Sequence, residues 1–109
     1  MVPVLPLEGW EERLRALEKA VVFFTADWCG YCARFAPHFE AAAAKAGVPL
    51  LAADISDDEE DPRWEWYGIQ VVPTVIAFER GQPVARLDGV LGRGLKPADL
   101  DALLRGFAG

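Results

Sequence analysis

The chain has 109 residues, a length that fits one domain spanning 1–109 with an ordinary buried core. Its 17 Asp and Glu against 11 Lys and Arg leave a net charge of -6, which argues against nucleic acid and anionic membrane surfaces as partners. Apolar stretches such as "AVVFF" fall well short of the roughly 20 residues a membrane-spanning helix needs.

The opening "MVPVLPLEGW" has no basic n-region, long apolar run or small-residue cleavage site, so a cytoplasmic location is expected. "VPVLPL" could supply an edge strand, although its two prolines argue against it. Trp10, Leu14, Leu17 and Val21 recur at helical spacing, so "GWEERLRALEKA" reads as a first amphipathic helix. "AVVFFTA" follows as a β-branched and aromatic run, apolar on both faces, which predicts a buried strand. After "DWCGYC" comes "ARFAPHFEAAAAKAG", a long helix ending at Gly47 with Pro49 just beyond. "PLLAADI" is a second buried strand, and strand, helix, strand with short links predicts a parallel, right-handed βαβ unit.

The acidic "DDEED" at 57–61 reads as a solvated loop, since it lacks the glycine turn of a cation-binding loop. Asp61 and Pro62 make an N-cap and first-turn pair for a short helix that ends near Gly68. Trp64 and Trp66 bracket that helix without an assigned role. "VVPTVIAFERGQPVARLDGV" predicts two strands around an "ERGQ" turn. Pro97 opens a last helix with Leu100, Leu103, Leu104 and Phe107 as its buried stripe. The fold class is α/β, a βαβ unit followed by ββα.

Cys29 and Cys32 are the chain's two cysteines. A closed zinc site needs four ligands, and only His38 joins them, so a metal reading fails unless a second copy completes the set. A static disulfide across so small a loop removes little chain entropy. Exchange chemistry remains, with Cys29 at the N-terminus of a helix, where free N–H groups and the helix dipole favour a thiolate. Cys32, one turn further in, is placed to attack a mixed disulfide and release the product. Cys29 is thus the expected nucleophile and Cys32 the resolving thiol, with no metal and no bound cofactor. His38 lacks an evident partner acid and reads as a surface or partly buried histidine.

From Val21 to Phe107 the chain resembles the thioredoxin family. "WCGYC" matches its tryptophan and Cys-x-x-Cys site, and Pro37 falls where the family kinks its active-site helix. "YGIQVVPT" matches the segment carrying its cis-proline, here Pro73, while Gly81 and Gly89 match the turn glycine and the substrate-groove glycine. The resemblance implies a thioredoxin fold, a central mixed β-sheet flanked by helices, and a reductase of protein disulfides recharged by its own reductase. It implies that an extended client pairs with the backbone of Val72 beside Pro73, and that Trp28, Gly30 and Tyr31 border the sulfur.

Three departures qualify the resemblance. Gly-Tyr replaces the common Gly-Pro between the cysteines and is more like bacterial disulfide isomerases; Tyr31 restores an N–H, from which an extra donor to Cys29 and a more oxidising couple are expected. Phe23 stands where the family places a buried aspartate, and Asp54 where it places the partner lysine. Asp54 is therefore expected to take the Cys32 proton during resolution, the alternative being that it ends its strand and faces solvent or caps the loop. The alternatives to a reductase are an isomerase or oxidant and an adaptor whose cysteines do not turn over. Those isomerases carry a dimerisation region for which this chain has no room, so a monomer is expected.

Overall fold

The computed structural model describes residues 2–108, without the side chain of Ala108. The two ends of the expected domain, residues 1 and 109, lie outside the described residues. Eight elements follow one another: α1 (Trp10–Arg15), β1 (Lys19–Thr25), α2 (Gly30–Ala43), β2 (Leu50–Asp54), α3 (Arg63–Trp66), β3 (Thr74–Glu79), β4 (Gln82–Asp88) and α4 (Pro97–Ala108). The strands form one mixed sheet in the order β2-β1-β3-β4, with β1 parallel to β2, and β3 antiparallel to both β1 and β4.

β1 is hydrogen-bonded on both sides, so its residues 20–24 are buried on both faces and read as a continuous apolar run. Alternate side chains still divide between layers. Phe23 packs on Phe35 and Phe39 of α2, at 5.4 and 5.2 Å between ring centroids. Phe24 points the other way, onto Trp10 of α1 and Tyr67 after α3, each at 5.8 Å. The position expected of a buried carboxylate is therefore part of an aromatic cluster.

Several predicted boundaries move. The first helix stops at Arg15 instead of running to Ala20, and Val21 sits in β1 between Leu50 and Ala77. Pairing on both edges outweighs the helical periodicity of four apolar residues, and β-branched valine favours the strand. α2 ends at Ala43, and Gly47, with φ of 75°, lies in the turn beyond. Pro37 is inside α2, where it offers no N–H to the Ala33 carbonyl. The N-terminal edge strand shrinks to one bridge, Val4 to Ala52, because Pro3 and Pro6 cannot donate to a ladder. In α4 Leu100 is fully buried, while Leu103, Leu104 and Phe107 are partly covered.

Asp61 acts through its side chain without being the residue that caps α3; Pro62 holds that place. The Asp61 carboxylate accepts from the Arg63 N–H at 2.9 Å and from its guanidinium at 2.6 Å. Arg63 is only 3 % exposed, donates also to the carbonyls of Leu5 and Asp54, and lies over the Trp10 ring. This buried ion pair ties the short helix to the end of β2.

Candidate active site

β1 delivers the chain to a three-residue link, Ala26–Trp28, and Cys29 then caps α2 in an extended conformation. The Cys29 N–H donates to the Ala26 carbonyl at 3.2 Å, so the link folds back on itself and sets the cysteine on the helix axis. One of the free N–H groups of the first turn, that of Cys32, donates to Cys29 Sγ at 3.1 Å. The Cys29 thiol in turn donates to the Val72 carbonyl at 3.5 Å. The backbone donor at this sulfur is Cys32, not Tyr31, so the extra donor expected from the Gly-Tyr sequence is not what holds it.

Both thiols are free. Both cysteines are buried, Cys29 at 9 % exposure and Cys32 at 1 %, so Cys29 is the less enclosed of the two. Burial, and then its hydrogen bond to Cys29, push the Cys32 thiol up to about 12 from its usual 9.0; the Ala26 backbone and the Thr25 hydroxyl pull the other way.

Asp54 does not fit the role of proton acceptor. It is the exposed last residue of β2, and its Oδ1 accepts both the N–H of Ser56, at 2.9 Å, and the Ser56 hydroxyl. A carboxylate already solvated and closing the turn after its strand caps a loop. Ser56 also binds the site link, accepting from the Asp27 N–H, while its carbonyl accepts from Trp28 Nε1 at 2.8 Å. Asp54 thereby supports the link without facing the thiols.

Trp28 is 54 % exposed and stacks on Trp64, with 6.4 Å between centroids and 8° between planes. The two rings form one wall of a groove of about 300 Å³ whose floor holds Cys29. Val71 and Val72 line it beside the cysteine, and Val90 to Gly92 close the far side. Gly30 and Tyr31 also line it. The Val72–Pro73 bond is cis. Gly89 has a different place: its N–H faces the Thr74 hydroxyl, and a Cβ there would come within 2.2 Å of the Pro73 carbonyl oxygen. It permits β4 and the Pro73 segment to meet, and the groove wall comes from the three residues after it.

Trp64, Gln70, Val71 and the turn residues Val90, Leu91 and Gly92 line the groove without a role assigned from the sequence. Leu91 carried a signal in "GVLGRG", an apolar pair bracketed by glycines, which marks a tight turn with an apolar tip. Trp64 carried none, because its partner Trp28 is distant along the chain. His38 does have an acid partner, Asp101 of α4, at 3.1 Å. The pair joins α2 to α4 and leaves the cysteine groove untouched. Among the described residues, no cluster of metal-binding side chains occurs and no helix is long and apolar enough to cross a membrane.

A dithiol at a helix N-terminus, Cys29 lining a groove and Cys32 more deeply buried, on a βαβ–ββα sheet, is an arrangement suited to thiol–disulfide exchange. The thioredoxin family model matches residues 2–98. Over 81 residues the chain is 36 % identical to a thioredoxin of Rhodospirillum rubrum, covering 74 % of this chain and 78 % of that one. It is 32 % identical over 95 residues to a protein disulfide-isomerase of Oryctolagus cuniculus, covering 84 % of this chain and 19 % of the relative. The chain spans about a fifth of the length of the disulfide-isomerase relatives it matches. In structure it is similar to a thioredoxin of Plasmodium falciparum, with TM-score 0.83, 24 % identity and coverage of 97 % and 99 %. A thioredoxin of Malassezia sympodialis superposes with TM-score 0.82 at 25 % identity, covering 100 % of this chain and 92 % of that one. The chain belongs to the thioredoxin family.

Proposed function

We propose that this chain reduces disulfide bonds in extended polypeptide segments, carrying two electrons on Cys29 and Cys32 with no bound cofactor. The reading rests on one observation: Cys29 lines an apolar groove, and Cys32, one helical turn on, is more deeply buried and does not line it. The Cys29 thiolate attacks one sulfur of the client disulfide; that S–S bond breaks, and the departing thiolate takes a proton. The Cys32 thiolate then attacks Cys29 Sγ, the mixed disulfide breaks, and the second client thiol leaves. The client gains two electrons and two protons, and the chain is left as the Cys29–Cys32 disulfide. An external dithiol, supplied by a reductase, restores it. The client backbone runs along Val71 and Val72, and Trp28 and Tyr31 border the attacked bond.

An isomerase role is the second reading, favoured by the 32 % identity to a protein disulfide-isomerase and by the Gly-Tyr pair. A monomer acting in a reducing, cytoplasmic setting suits the first reading. Cys32→Ser tests it, because the second attack is then lost and the mixed disulfide accumulates. A trapped peptide linked to Cys29 is expected by mass spectrometry under non-reducing conditions. No adduct at Cys29 would overturn the proposal, and an adaptor would give none.

A further inference from the structure

Between the cysteines, Tyr31 reaches across to a segment about sixty residues away. Its hydroxyl donates to the Gly92 carbonyl at 2.8 Å. Its ring lies so close to Gly94 that a Cβ there would fall 3.1 Å from Tyr31 Cβ. The Arg34 guanidinium lies 5.4 Å from the ring centroid. The segment it holds is a tight turn: the Val90 N–H donates to the Gly94 carbonyl, and the Gly94 N–H returns to the Val90 carbonyl. Gly92 and Gly94 adopt φ of 83° and 78°, values that side chains other than glycine rarely take.

At the tip of this turn Leu91 is 86 % exposed, and Val90 beside it 45 %. Single exposed leucines are common and need no explanation. Here, however, Leu91 lines with Val90, Tyr31 and Trp28 the groove that holds Cys29. A contiguous apolar rim on a turn pinned by a side chain of the active-site motif points to a ligand that covers it.

We infer that Tyr31 is a positioning residue that locks the 90–94 turn, and that Leu91 on it selects clients bearing an apolar side chain next to their cystine. This rests on the disulfide-reductase reading and names its substrate class. The occupant is a cystine-containing polypeptide in extended form, since the groove continues from the reacting sulfur along Val71 and Val72 to Leu91.

The test uses two cystine peptides that differ only in the residue beside one half-cystine, leucine or serine, with dithiothreitol as the reductant. The unaltered chain should favour the leucine peptide by about 5- to 20-fold in kcat/KM, the range set by partial burial of one leucine. Leu91→Ser should bring that ratio close to one. Tyr31→Phe keeps the ring and removes the hydroxyl, so it should lower the leucine-over-serine preference about threefold or more. A preference that survives Leu91→Ser, or one that Tyr31→Phe leaves unchanged, would overturn the inference. Turnover of both peptides by the unaltered chain without preference would overturn it alone. No turnover of either would overturn the reductase reading with it.

Discussion

The Gly89 backbone and the Pro73 carbonyl are in such close approach that a β-carbon at 89 would lie 2.2 Å from the carbonyl oxygen. The neighbour is backbone, so it cannot turn aside as the end of a long side chain can. Gly89→Ala should therefore push the β4 end away from the segment that lines the cysteine groove. A loss of at least about 2 kcal/mol, or roughly 10 °C in Tm, is expected by thermal unfolding. The same variant should lower client reduction more than its stability loss accounts for, measured well below its Tm.

The Cys32 proton sets the pH behaviour of the second half-reaction. Because burial and the bond to Cys29 raise this thiol to about 12, it is protonated throughout the neutral range. Its attacking thiolate fraction then grows about tenfold for each pH unit below that value. In a mixed disulfide between Cys29 and a small peptide thiol the bond to Cys29 is gone, but burial, the larger cause, still raises the Cys32 thiol, so decay should accelerate about tenfold per unit between roughly pH 6 and 8, without a plateau. Asp54→Asn should leave this profile unchanged, as its carboxylate is exposed and engaged by Ser56. A plateau that the substitution abolished would return Asp54 to the chemistry.

The ion pair of Asp61 and Arg63 gives a separate, acid-side prediction. Burial opposes ionisation of Asp61, but hydrogen bonds from Arg63 and its charge outweigh this and hold the carboxyl below its usual range. A folded pKa below the unfolded value near ~3.9 means that the contribution is present above about pH 4. It is lost as pH falls through the lower, folded value. Arg63→Ala leaves the carboxylate unpaired at a side-chain exposure of 8 %, and should cost about 3–5 kcal/mol in urea unfolding near neutral pH.

Phe23 gives a core prediction. Its ring contacts Phe35 and Phe39 from the central strand, and it is 3 % exposed. Phe23→Ala should cost about 3–5 kcal/mol through the cavity it leaves, read from the midpoint of chemical denaturation.

Much of this was legible from the chain alone, for identifiable reasons. β1, β2 and α4 declare themselves because each buries a run or stripe whose composition suits one structure. The cysteine pair is equally plain, since its spacing and its place before a helix carry the chemistry locally. What failed depended on distant partners. The first helix looked longer than it is because Leu17 keeps its spacing, until β1 claimed the chain from Lys19. Asp54 looked like a substitute acid because alignment places a residue on a strand but not the direction of its side chain. The burial of Arg63 has no local mark, because Asp61, Trp10 and two carbonyls gather around it only in the fold. Trp64 joins the site through a contact far along the chain, which no local pattern encodes, while the glycine-bracketed turn of Leu91 is local but does not say which groove it faces.

The central claim is that Cys29 and Cys32 turn over as a dithiol–disulfide couple on protein substrates. Insulin reduction with limiting dithiothreitol, followed as the turbidity of the released chains, tests it most directly. The unaltered chain should shorten the lag and steepen the rise in proportion to its concentration, and Cys29→Ser should match the reaction without protein. No acceleration by the unaltered chain, or an equal acceleration by Cys29→Ser, would contradict the account.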